Sequence, residues 1–117
     1  MSSKVSFEGI GEVIATFYAG DGVTAGQVVK LSGDSKVAAC TAGERFCGLS
    51  VSVKTGCAAV QVGGFAEVPC TDSTVAVGLA TLTADGSGGV KKAGSGDAGE
   101  EYLVVSKDTA GFVTLKM

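Results

Sequence analysis

The sequence has no histidine, no tryptophan and no asparagine, and it holds a single proline. Without histidine the chain lacks the commonest general base and the commonest metal ligand. Charge is scarce too: 18% of residues are Asp, Glu, Lys or Arg, the net charge is -3, and Arg45 is the only arginine among nine basic residues. A nucleic-acid binder needs a clustered basic face, and here Lys91-Lys92 is the one basic pair. No apolar run approaches the ~20 residues of a spanning helix. The N-terminus has no apolar segment of the secretory kind, which predicts a compartment that keeps thiols reduced.

What remains is apolar and β-forming. Hydrophobic residues make up 45% of 117 positions and mean hydropathy is +0.39, too apolar for a disordered chain and enough for one domain's core. Valine dominates, with threonine and glycine. β-branched side chains are stiff at the first torsion and pack well on pleated surfaces, so an all-β protein is expected: a small single-domain β-barrel or β-sandwich over 9–117, preceded by a polar arm over 1–8. Expected strands run Glu12–Tyr18, Gln27–Leu31, Lys36–Cys40, Phe46–Lys54, Ala58–Val68, Leu79–Thr83, Val90–Ala93, Tyr102–Ser106 and Phe112–Lys116. In Phe46–Lys54 the alternation turns Cys47, Leu49, Val51 and Val53 one way and Gly48, Ser50, Ser52 and Lys54 the other, as in a half-buried strand. In Ala58–Val68 it turns Ala58, Val60, Val62, Ala66 and Val68 inward and leaves Phe65 as an exposed aromatic. Gly63-Gly64 inside that run marks a bulge or a sharp bend. Asp72–Val77 suits one helical turn or a loop, and Asp85–Gly89 a hairpin tip.

Two halves echo each other. Val23-Thr-Ala-Gly26 and Val75-Ala-Val-Gly78 each precede a strand and its return. Ala42-Gly43-Glu44 with Phe46 recurs as Ala98-Gly99-Glu100 with Tyr102. Two copies are too few for a solenoid but fit a barrel or sandwich with a rough twofold. Shared turn chemistry is the competing explanation.

Residue types with chemical potential resolve into structural roles. Cys40, Cys47, Cys57 and Cys70 lack the close pairing of a zinc site and are expected as small buried hydrophobes or half-exposed thiols, with a Cys40–Cys47 or Cys57–Cys70 bridge left open. Glu100-Glu101 are adjacent, so on a strand they point to opposite faces; they are expected in a solvated turn. Asp21, Asp34, Asp85 and Asp97 sit in turns without calcium-loop spacing. Gly-rich segments lack the Gly-Lys-Ser/Thr ending of a phosphate loop. Lys54 lies near a hairpin tip, as the modified lysine of biotinyl and lipoyl carriers does, but without their flanking Met or Asp and Ala. No catalytic, metal or cofactor residue is expected, and no cofactor, nucleic acid or membrane.

One pattern covers nearly the whole chain. A short polar arm and an early strand end in a Gly-rich turn; V-x-x-G-Q-V-V follows at 23–29. Ala-Gly-Glu at 42–44 then precedes a strand containing Gly48. Val60-Gln-Val-Gly-Gly-Phe-Ala-Glu-Val-Pro69, a second V-x-x-G, Asp85-Gly86, Gly89-Val90 and a terminal strand complete it. In these features Gly9 to Met117 resembles the small capsid cement, or head decoration, proteins of tailed phages. The resemblance implies a barrel-like fold without enzymatic activity. It implies binding outside a phage head at junctions between major capsid protein subunits, on a virion assembled in the bacterial cytoplasm, and, by analogy with lambda-type decoration proteins, a homotrimer. Partner contacts are then expected from Ser2, Ser3, Lys4, Val5, Ser6 and Phe7, with Val5 and Phe7 as anchors of an arm that adds to a neighbouring sheet, and from Phe65. The rival reading is a carbohydrate-binding or adhesion module, which would need a platform of exposed aromatics.

Overall fold

The computed structural model describes Ser6, residues 9–20 and residues 22–117. Among the described residues ten strands follow in order: β1 (Val13–Ala19), β2 (Val28–Gly33), β3 (Lys36–Ala39), β4 (Gly48–Lys54), β5 (Cys57–Gly63), β6 (Phe65–Pro69), β7 (Gly78–Ala84), β8 (Val90–Lys92), β9 (Glu100–Lys107) and β10 (Phe112–Lys116). The first five close into a barrel in the order β1-β3-β2-β4-β5, and the last five form an open sheet in the order β6-β10-β9-β7-β8. The expected all-β class therefore holds. Asp72–Val77 is a loop: Asp72 Oδ1 accepts from Thr74 N at 2.9 Å and from Thr74 Oγ1 at 2.6 Å, which tightens a turn without starting a helix.

The two sheets are copies of one unit. Taken in chain order, β1 to β5 and β6 to β10 have the same neighbours: β3-β2-β4-β5-β1 matches β8-β7-β9-β10-β6. The likeness extends to single residues. Val51 is an unpaired extra residue in β4, between Ser50↔Val60 and Ser52↔Ala59. Val105 is the same extra residue in β9, between Leu115↔Val104 and Thr114↔Ser106. The backbone bond Ala19 N to Gly56 O, 2.9 Å, recurs as Cys70 N to Gly111 O, 2.7 Å. The spelled echoes run out of step with this register: strand pairing aligns Tyr102 with Gly48, not with Phe46, and Gly78 with Gln27, not with Gly26. The duplication lies in strand order and bulge position, while the matching words are turn chemistry beside it.

Closure is where the units differ. In the first, β1 pairs in parallel with β3, with Tyr18 N donating to Ser35 O at 2.8 Å and Gly20 N to Val37 O at 2.7 Å. Pro69 takes Tyr18's place in the second unit and has no N–H to give. The β6 edge stays unpaired with β8, although Gly89 packs so close that a Cβ there would lie 2.4 Å from Pro69 O.

Two cores result. The barrel lumen holds Val29, Val37, Ala58 and Val60, with Phe17, Ala19 and Val23 packed against them. The larger core fills the open unit with Ala66, Val68, Leu82, Val90, Val104, Val113 and Leu115, and Val28, Leu49, Cys40 and Phe46 from the first unit complete it. The continuous strand expected over Ala58–Val68 is two strands in different sheets. Gly64 makes the bend at φ 82°, and a Cβ there would lie 2.7 Å from Glu12 N and Cα.

The shared apolar face expected for β4 is corrected by its bulge. Leu49 is buried against the second unit and Ser50 faces the lumen, while Val51 and Val53 are exposed. The extra residue shifts the alternation by one, so Val53, paired with Ala58, no longer shares the face of Leu49. Val62 is likewise exposed and borders a groove beside Leu31, while Gln61, its neighbour on the opposite face of β5, is buried. The alternation of Glu12–Tyr18 puts Val13, Ala15 and Phe17 on one face, but Val13 is exposed, since the β1–β5 register slips between Val13 and Ile14.

Candidate functional site

The seam between the units carries the densest polar chemistry. The 41–46 loop leaves β3 and lies across the second unit. Gly43 N donates to Ala84 O at 2.9 Å, Ala84 N to Glu44 O at 2.9 Å, and Ala98 N to Gly43 O at 2.9 Å. Buried Thr83 Oγ1 sits 2.9 Å from both Glu44 O and Ala98 O, and its one proton serves either carbonyl. Such satisfied buried groups lock the two units together. Phe46 and Tyr102 stack across the same seam, with ring centroids 5.0 Å apart and planes 11° from parallel.

Beside them opens a groove of about 720 Å³. Its charged side chains are paired: Lys30 Nζ lies 2.7 Å from Glu44 Oε2, and Arg45 Nη2 lies 2.7 Å from Glu100 Oε1. The Lys30 hydrogen bond, reinforced by Thr41's hydroxyl and amide, holds the Glu44 carboxyl down at about 2. Burial, then the Glu100 charge, pushes the Tyr102 hydroxyl well above its usual range. Burial also pushes the Cys40 thiol up to about 11, and the Cys47 and Cys70 thiols in the same direction. Raised thiols are poor nucleophiles at neutral pH, and ion-paired charges are poor acids and bases. The remaining surface of the groove, Leu31, Val62, Cys47 and Met117, is apolar. This arrangement is suited to contact.

A second exposed feature crosses the outer face of the open sheet. Strand pairing places Leu79, Leu103, Lys116 and Phe65 in one row over β7, β9, β10 and β6. Leu79 is 69% exposed and Leu103 40%. The first unit's equivalent row is Val28, Leu49, Gln61 and Ile14. There Val28, Leu49 and Gln61 are buried, and Gln61 Nε2 donates to Phe65 O at 2.9 Å and Gly63 O at 3.0 Å.

The residues singled out from sequence fall as follows. Ser2, Ser3, Lys4, Val5 and Phe7 lie outside the described residues, as does Asp21; Ser6 is described and exposed. Phe65 is half-buried at the end of the β6 row, not an exposed aromatic. Among the described residues Tyr18 and Phe112 are the exposed rings, one on each unit. All four cysteines are free thiols, with Cys40 and Cys70 buried, Cys57 half-buried and Cys47 exposed. Asp85 accepts from Ser87 N and Gly89 N, and Asp97 from Gly94 N, as turn formers do. Glu100 and Glu101 open β9 rather than occupying a turn, and Glu100 is tied to Arg45. Lys54 ends β4 at the Thr55-Gly56 turn. The outer row was hidden in the sequence because Leu79 and Leu103 lie on different strands whose pairing only the fold fixes. Neither a family model nor a curated protein matches the chain.

Proposed function

We propose that this protein is a capsid decoration protein, binding the outside of a phage head where major capsid protein subunits meet and holding them together by contact. The observation that carries this reading is apolar surface left in the open. Twelve large hydrophobic side chains are exposed among the described residues, including Ile10, Tyr18, Leu31, Val77 and Leu79, on a chain with only 18% charged residues. Scattered exposed hydrophobics are ordinary, but aligned ones on a weakly charged body mark a surface meant to be covered. The resemblance of Gly9 to Met117 to head decoration proteins supplies the partner. The fold suits the task. A barrel fused to an open sheet offers several contacts per chain, and contacts shared among neighbouring shell subunits add through avidity, so none need be tight.

Cosedimentation with expanded, undecorated heads tests this. Binding should saturate at a fixed number of copies per head and be weaker on unexpanded shells, whose subunit junctions differ. Binding to glycans with none to heads would support the adhesion reading instead.

A further inference from the structure

We propose that the seam groove is a strand-accepting site, in which an extended, uncharged segment of a partner protein pairs its main chain with the free edge of β2 at Leu31. The repeat carries the argument. In the second unit the β7–β9 ladder runs from Gly78↔Val104 through Ala80↔Tyr102 to Thr81↔Glu101 and Leu82↔Glu100. In the first unit the matching ladder stops at Val29↔Gly48, the counterpart of Ala80↔Tyr102. The last two pairs have no counterpart, because the chain over 43–46 crosses to the second unit. There Glu44 O accepts from Ala84 N, and Phe46 stacks on Tyr102. Lys30 and Leu31 therefore run on without a β4 neighbour.

The amide and carbonyl of Leu31 face that gap. Gly20 N donates to Val37 O at 2.7 Å, so Val37 turns its main-chain groups to β1. Leu31 stands directly opposite Val37. That makes it the non-bonded kind of antiparallel pair, in which Leu31 points its N–H and C=O away from β3. Two residues earlier, Val29 O accepts from Cys47 N at 2.8 Å on the same side. Among the described residues no backbone bond reaches Leu31 from the groove.

The groove, about 720 Å³, supplies the rest. Leu31 and Val62 expose apolar side chains to it from the two strands that β4 separates. Both lie on the lumen side: Leu31 pairs with buried Val37, and a Cβ on Gly48 would meet Val60 Cγ1 at 2.6 Å and Val62 Cγ1 at 3.3 Å. A side chain set between Leu31 and Val62 would thus continue the barrel core. The charges lining the groove are already paired, Lys30 with Glu44 and Arg45 with Glu100. The site therefore suits an uncharged segment with one apolar residue opposite Leu31. Main-chain bonds supply the affinity and that residue the specificity.

Amide hydrogen exchange on the full chain tests the proposal, with a short capped peptide of alternating threonine and valine as the probe. The Leu31 amide should exchange freely in the free chain and slow roughly tenfold or more when the peptide is added. The same peptide with N-methylated valines, the residues that would stand opposite Leu31, should give no protection. Leu31→Pro removes only an amide that β3 does not use, as an edge position tolerates. It should weaken peptide binding, read by calorimetry, roughly tenfold or more, with circular dichroism unchanged. The N-methylated peptide makes the same test without altering the chain. No protection by the probe, equal protection by the N-methylated peptide, or Leu31→Pro binding as tightly as wild type would overturn the proposal. So would a Leu31 amide protected without peptide: by the chain itself if independent of concentration, by a second copy if growing with it. Phage shells take no part in the experiment, so this proposal and the decoration reading can fail separately.

Discussion

Tyr18 and Pro69 occupy the same position in the two copies of the repeat: each lies opposite the first residue of the returning strand, Cys57 or Phe112. Tyr18 donates its amide to Ser35 O at 2.8 Å and helps close the barrel. Pro69 has no amide proton, and its sheet stays open. One residue type at one position thus separates a sealed unit from one whose core must be completed by Val28, Leu49, Cys40 and Phe46 of the other. Tyr18→Pro should therefore destabilise the protein by about 1–3 kcal/mol, through a lost hydrogen bond and a stranded acceptor. Pro69→Ala, whose nitrogen faces away from β10, should change stability by no more than about 1 kcal/mol. Urea denaturation of the two variants checks the asymmetry.

Ser50 gives a second consequence of the repeat. It is fully buried, and among the described residues its Oγ has no hydrogen-bond partner. Val104 holds the equivalent position in the second unit, paired with Leu115 as Ser50 is with Val60. A buried hydroxyl left unpaired costs about 1–3 kcal/mol, so Ser50→Ala should raise stability, by about 1 kcal/mol. A fall in the unfolding midpoint would show that the hydroxyl is satisfied.

Much of this fold was legible in the sequence. The terminal hairpin strand Phe112–Lys116 stands as expected because β-branched alternation and the Asp108–Gly111 turn agree there. Gly63-Gly64 announced a bend, and the bend sends β5 and β6 into different sheets. The exposure of Val51 and Val53 was not legible, because a bulge adds one residue without changing the alternation of types. Nor were the seam and the outer row, which depend on pairings between separate strands and loops that only the fold fixes. The repeat was sensed through turn words that lie beside the true register, since turns share chemistry whether or not strands share ancestry.

Acid should act on the seam. The folded Glu44 carboxyl lies at about 2 against an ordinary 4.5, held down by Lys30 and Thr41. A depressed carboxylate adds stability that is fully present above the unfolded value and lost as pH falls through the folded one. The stability difference between wild type and Glu44→Gln should therefore be constant above about pH 4.5 and vanish toward pH 2. The pair is partly exposed, so salt should shrink the difference. Denaturation midpoints across that range check both effects.

The thiols should divide into two classes. Cys47 and Cys57 are accessible to a reagent, Cys47 reacting slowly because burial raises its thiol, whereas Cys40 and Cys70 are buried, with the Cys40 thiol pushed up to about 11. Thiol titration of the native protein should count two reactive groups, and four after unfolding. Four in the native state would mean that the core opens on the timescale of labelling.

The last substitution tests the joint of the larger core. Leu115 is fully buried there, and Leu115→Ala should cost about 2–5 kcal/mol. Because that core also holds first-unit residues, unfolding should remain a single transition for both units. Separate melts of the two halves would show independent units.

Electron microscopy of expanded heads mixed with the purified protein tests most directly whether the exposed apolar surface exists to grip a shell. The account predicts added density outside the shell, centred on the junctions between major capsid protein subunits and shaped as two fused β lobes per chain. Heads that stay bare at saturating protein would contradict it.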